Sequence, residues 1–184
     1  AACGNAPFLF GRSLWEETRI PLFEQAVALG GAHADSRRVT FGEGYLQASV
    51  LECFEENLAE YPVLLPLEFP AEPGAFHHLR LHNGTIWRWN RPLLGFGADG
   101  RPHVRIEHRI LPAGPSLLDM MANAAAYLGL ACALVHEEQD ETLGLPFEAA
   151  RRNFYAAARE GLAARLEWPG AGTVTARELL LQEL

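Results

Sequence analysis

His82-Asn83-Gly84-Thr85-Ile86-Trp87-Arg88-Trp89-Asn90-Arg91, followed after a glycine-rich turn by Arg105-Ile106-Glu107-His108-Arg109, is the stretch on which the fold depends. Its two segments read as β-forming, and between them Gly97-Ala98-Asp99-Gly100 supplies the positive-φ positions of a tight reversal, so the sequence predicts an antiparallel hairpin. Strand alternation places Val104, Ile106, His108 and Ile110 on one face, expected to be core, and Arg105, Glu107 and Arg109 on the other. A two-residue turn would add Arg88 and Asn90 to the Glu107 face. A three-residue turn with a bulge would instead set Arg91 near Glu107 and Trp89 near Arg109.

Either register gathers three arginines around one acid. A solvated cross-strand ladder, worth about 1 kcal/mol or less, accounts for such a pattern with fewer charges. An anionic, metal-bearing ligand such as a nucleoside triphosphate accounts for the full set: Glu107 would be the metal ligand, and the arginines would hold phosphate or carboxylate oxygens.

Composition narrows the chemistry further. The chain has 184 residues, and all 15 of its basic residues are arginine. Without lysine, neither a Walker-type phosphate loop nor a Schiff-base mechanism can be completed within these residues, so anion recognition must use guanidinium forks, helix N-termini or a metal. The net charge of −8 disfavours a general nucleic-acid or anionic-membrane surface. Cys3, Cys53 and Cys132 are odd in number and widely spaced, which fits a reducing cytoplasm better than a disulfide framework.

Along the chain, residues 1–13 read as loop. Residues 14–29 predict a helix that starts late or kinks near Thr18 to Pro21 and ends at Gly30-Gly31. Residues 37–45 suggest a short strand and a loop, and residues 46–61 a helix carrying Val50, Leu51, Phe54 and Leu58 and closed by Pro62. Residues 115–135 are apolar enough to raise the alternative of a membrane span, but Asp119, Asn123 and Gly129 argue against it and favour a buried core helix. Residues 146–166 predict an amphipathic helix with Phe147, Ala150, Phe154, Ala157, Ala158 and Leu162 on one stripe, broken by Trp168-Pro169-Gly170. Thr175-Ala176-Arg177-Glu178 has capping-box spacing and predicts a last helix. The expected architecture is a single α+β domain spanning residues 1–184, an antiparallel sheet with helices on one face.

Competing sites are weaker. His77, His78 and His82 cluster, and His103 and His108 share the following strand, but no metal-ligand spacing is present; His136-Glu137-Glu138 is not a metalloprotease helix. No cysteine has an evident base, and no nucleophile elbow occurs.

On these residues the chain resembles the second-type glutamate–cysteine ligase family of carboxylate-amine ligases. The resemblance rests on Asn5-Ala6-Pro7-Phe8 with Gly11, on Thr18-Arg19, on His82-x-Gly84-Thr85-Ile86-Trp87 with Arg91, and on Ile106-Glu107-His108-Arg109. Ala6 stands where the family has serine, and His108 where it has valine. The resemblance implies a glutamine synthetase-like catalytic fold, of which these residues would be the C-terminal part, and an ATP- and Mg²⁺-dependent activity. A γ-carboxylate would be activated as an acyl phosphate and captured by an amine. It further implies Glu107 as metal ligand, Arg109 and Arg91 as phosphate-handling residues, Arg19 facing a substrate carboxylate, and His82, Thr85 and Trp87 lining the pocket; Arg105, beside them on the strand, joins this cofactor-binding set. Small-molecule substrates, glutamate or another amino acid plus an amine, would be its partners in the cytoplasm. Nucleic acid and membrane would play no part, and a homo-oligomer is left open. The family's front half, with its Glu-x-Glu metal ligands, lies outside these residues, which implies that they are inactive alone. The chain start, which lacks a methionine, and the short last helix carry the same expectation of a fragment.

Overall fold

The computed structural model describes residues 7–27, 29–30, 37–70, 72–111, 114–136 and 144–183. In chain order these form β1 (Phe8–Leu9), β2 (Arg12–Ser13), α1 (Arg19–Ala26), β3 (Val39–Thr40), α2 (Glu52–Glu60), α3 (His77–Gly84), β4 (Trp87–Arg88) and β5 (Asn90–Phe96). There follow β6 (Pro102–His108), α4 (Leu117–His136), α5 (Phe147–Glu160), β7 (Arg165–Trp168), β8 (Gly172–Thr175) and α6 (Ala176–Glu178), which continues as a π-helical turn over Leu179–Glu183. The mixed α+β class is as expected. Among the described residues the strands pair two by two, with β1–β2, β5–β6 and β7–β8 antiparallel and β3–β4 parallel. No described helix is long and apolar enough to cross a membrane. Cys3, Asn5, Ala6, Gly31, Glu137 and Glu138, which carried expectations above, lie outside the described residues. The chain gathers into two compact units, one of Ala1–Pro21 with Leu111–Leu184 and the other of Leu22–Ile110.

The Leu22–Ile110 unit is built around the β5–β6 hairpin. Its turn is the three-residue alternative: Gly97 N–H donates to Arg101 O at 2.9 Å, Gly100 N–H donates to Gly97 O at 3.0 Å, and Gly100 takes φ +77°. A left-handed residue closing a three-residue loop is the position at which glycine costs no Cβ clash. The register that follows sets Arg91 opposite Glu107 and Leu93 opposite Arg105, and Arg109 N–H donates to Trp89 O at 2.9 Å. Arg88 is therefore not a member of the Glu107 face.

Three expectations fail in this unit. Residues 82–84 are not extended but end α3, because residues 77–84 contain no proline and Thr85 closes the last turn by donating its hydroxyl to His82 O at 2.7 Å. Residues 46–51 precede α2 rather than opening it; there the Glu52 carboxylate accepts the backbone N–H groups of Gln47, Ala48 and Ser49. The hairpin face expected to be core is open on β6, where Val104 is 38% and Ile106 50% exposed. The cover falls instead on β5. The Asn83 amide of α3 donates to Pro92 O at 2.8 Å, Phe76 stacks on Phe96 at 6.5 Å, and Arg80 lies 5.6 Å over the same ring.

A buried polar network joins α2, α3 and the strands. Asn57, 1% exposed, donates its amide to Asn83 Oδ1 at 3.0 Å, and its own Oδ1 accepts from Arg88 Nη2 at 3.0 Å. Arg88 Nη2 also pairs with Glu56 at 2.9 Å, and the Asn57 carbonyl accepts from His82 Nε2 at 2.9 Å. Each group is expensive to bury alone, so the network specifies which faces of α2 and α3 meet.

In the other unit, residues 7–13 form a hairpin rather than the expected loop. Phe10 (φ +50°) and Gly11 (φ +73°) make the two-residue turn, both in the left-handed region that such a turn requires. Helix α5 buries Ala149, Phe154, Ala157 and Ala158, and its side packs on β7, where Asn153 exchanges two hydrogen bonds with the Glu167 backbone. The helix stops at Glu160, six residues before the expected end at residue 166, because Gly161 turns the chain at φ +59°. The residues beyond enter the β7–β8 hairpin, whose Leu166 joins Ala157, Ala164, Ala176 and Leu179 in a small core. The expected capping box forms, with Thr175 and Glu178 bonded reciprocally. Helix α4 forms as expected but is not buried: Leu117, Leu118, Met121, Leu128 and Val135 are all more than half exposed. A helix apolar all round needs neighbours all round, and the described elements of its unit do not surround it.

Candidate functional site

The three-residue turn is what assembles the charged cluster. With Arg91 directly opposite Glu107, both Arg91 Nε and Nη2 donate to Glu107 Oε2, at 3.1 and 2.8 Å. Two residues after Glu107, just beyond the end of β6, Arg109 brings Nε to 3.5 Å from the same oxygen. Arg91 Nη1 makes one longer bond to Gly84 O at 3.4 Å, which ties the cluster to the end of α3. The two arginine side chains are only 13% and 12% exposed, whereas Glu107 is 38% exposed. Two nearly buried cations thus converge on one oxygen of a carboxylate that still reaches water.

Aromatic rings hold Arg109. Its guanidinium carbon lies 3.2 Å over the Trp87 ring, a cation–π stack at contact distance. Trp87 is backed by Phe23 at 4.1 Å and meets Trp89 edge-on at 6.2 Å. The planar guanidinium is fixed against a planar ring, which is where arginine differs from a flexible ammonium.

Arg105 lies opposite Leu93 on the Glu107 face and is exposed. Gly95 leaves the room that His103 and Arg105 use, since a Cβ there would come within 2.9 Å of the His103 ring and 3.1 Å of the Arg105 guanidinium. His82 and Thr85 stand elsewhere, lining a cleft of about 360 Å³ with Leu58, Tyr61, Leu65 and Leu79. His82 is held by the Asn57 carbonyl, and the Thr85 hydroxyl accepts from Arg38 Nη1 at 2.8 Å. Arg38 Nη2 donates to the Pro62 carbonyl, and burial pulls this guanidinium below its ordinary range. The structure therefore brings together Arg91, Glu107, Arg109 and Trp87, with Arg105 along the same face, whereas His82 bonds α2 through the Asn57 carbonyl and Thr85 bonds the end of α3 and Arg38.

Arg19 belongs to the first unit, where it opens α1. Its backbone N–H donates to Glu17 Oε1 at 3.0 Å, and its Nε lies 3.8 Å from the same oxygen. Glu17 is fully buried with Oε2 unpaired, and its N–H donates to Ala158 O at 2.8 Å. Sequence reasoning passed over Glu17 and Phe23. The first is marked only by an acid two residues before Arg19, and the second only by its place in a short apolar helix.

Among the described residues no three His, Cys, Asp or Glu side chains gather to hold a metal ion, so in this cluster Glu107 offers one carboxylate. His108, between Glu107 and Arg109, points to the opposite face, where Nδ1 meets Asn90 Oδ1 at 2.7 Å and burial holds the imidazole below its ordinary value. Chemically the cluster can present two fixed guanidinium groups and a displaceable carboxylate to an anion. No family model, curated protein or solved structure matches the chain.

Proposed function

We propose that the protein is an ATP-dependent carboxylate-amine ligase of the glutamate–cysteine ligase type, acting through an acyl phosphate. The observation that carries this reading is the convergence of Arg91 and Arg109, the latter stacked on Trp87, upon Glu107. Acyl phosphate formation is mainly positioning and neutralisation of phosphoryl charge, and it needs no activated side-chain nucleophile. The absence of lysine leaves guanidinium groups to do that work.

In this reading Arg91 and Arg109 hold phosphoryl oxygens, and Arg105 reaches the outer part of the same ligand. Glu107 would supply one oxygen to Mg²⁺, whose other ligands come from phosphate and water. Bound Mg·ATP supplies the phosphoryl group and its charge neutralisation. Trp87 would act by holding Arg109. The glutamine synthetase-like sheet with helices on one face, the amino-acid and amine substrates and a cytoplasmic site of action belong to the same proposal.

The single carboxylate of the cluster favours a second reading, a nucleotide- or amino-acid-binding homologue without turnover. Calorimetry of the complete protein with Mg·ATP, followed by an assay of amine-dependent phosphate release, separates the two. The ligase releases phosphate only with an amine present; the binding protein shows heat and no release. Glu107→Gln is expected to abolish turnover while circular dichroism stays unchanged, and full activity in that variant would sink the metal assignment.

A further inference from the structure

Arg91 spends both donors of one guanidinium edge on a single oxygen of Glu107, and Arg109 turns its Nε to that oxygen as well. This is a crowded arrangement. A fork of two N–H groups is best matched by two oxygens, one for each donor, and a tetrahedral oxyanion offers them. The arginines are nearly buried, and Arg109 is pinned on Trp87, so neither can move out to meet a ligand. Glu107 is the exposed member, so its carboxylate can reach water, and the cost of unpairing the two arginines is offset only when another anion takes its place.

We propose that Glu107 occupies an oxyanion site formed by Arg91 and Arg109 and must leave it before a phosphoryl-type ligand enters. The carboxylate stands where the anion will sit, and its departure both frees the guanidinium edge and removes a like charge. The inference rests on the reading of Arg91 and Arg109 as oxyanion ligands and adds the order in which the site is made available.

Inorganic sulfate, a tetrahedral dianion with weak affinity for divalent cations, is the probe, titrated by calorimetry and tryptophan fluorescence in chelator. Glu107→Gln is expected to bind sulfate on the order of tenfold tighter than the wild type, the change given by releasing one charge-assisted hydrogen bond. In the double variant Arg91→Met/Glu107→Gln that gain should vanish. Equal or weaker binding by Glu107→Gln, or a gain that survives without Arg91, overturns the inference and leaves the ligase reading standing. Sulfate binding by none of these forms overturns both. If Glu107→Gln does not fold, Glu107→Asp serves, because the shorter carboxylate keeps its charge but loses reach to Arg91; tighter sulfate binding is again expected, and unchanged binding overturns the inference.

Discussion

Asn57 shows how much one side chain can organise. Its amide bonds Asn83, its Oδ1 accepts from Arg88, and its carbonyl accepts from His82. Removing its side chain leaves Asn83 Oδ1 buried without its donor and takes one contact from Arg88, while Glu56 still pairs with Arg88 and Pro92 O still accepts from Asn83. Asn57→Ala is therefore expected to destabilise the protein by about 1–3 kcal/mol in urea titrations; a loss below about 0.5 kcal/mol, the scale of an ordinary surface change, would contradict this. None of it is legible from residues 52–60, where an asparagine among glutamates reads as solvent-facing. For His82 and Thr85 the family resemblance implies a place in the pocket lining; in the structure His82 bonds the Asn57 carbonyl of α2, and Thr85 bonds the His82 carbonyl and Arg38.

At the scale of elements, turns decided more than propensities. The hairpin itself was readable, because β-forming segments around Gly97-Ala98-Asp99-Gly100 leave few alternatives. Its register was not, since two- and three-residue turns both suit those residues. The structure takes the second, and Gly100 at φ +77° is its strained position for any other residue. Gly100→Val should cost about 1–2 kcal/mol and weaken oxyanion binding through misregister of Arg91 and Glu107. Urea titration and the sulfate titration measure the two effects, and a variant unchanged in both would remove the turn from the account of the site. Helix α5 teaches the same lesson in reverse. Its apolar stripe continues to Leu162, but Gly161 ends the helix and sends residues 165–168 into a strand.

For the molecule as a whole, acid is the revealing variable. Burial holds His108 below its ordinary 6.5, and backbone N–H groups hold Glu52, as Thr175 holds Glu178, below an ordinary 4.5. In each case the folded state binds its proton less readily than the unfolded chain, so the contribution is complete above the unfolded value and fades as pH falls through the folded one. Stability is expected to decline in two stages, first below about pH 6.5 and again below about pH 4.5. His108→Val should remove the first stage, and Glu52→Gln should shrink the second. Thermal melts across this range check both, and a first stage that persists in His108→Val would mean another group titrates there.

The amino-acid sequence alone determined the α+β class, the positions of most helices, the central hairpin, the Thr175–Glu178 capping box and the exclusion of lysine-dependent chemistry within these residues. These are local or compositional properties, set by φ preferences, side-chain periodicity and the residue inventory. The tertiary structure decided that Arg91 rather than Arg88 stands beside Glu107, that Arg109 lies on Trp87, that Asn57 is buried and that α4 is exposed. Those depend on which surfaces meet across long sequence separations, and a polar or apolar residue carries no local mark of the neighbour that will cover it.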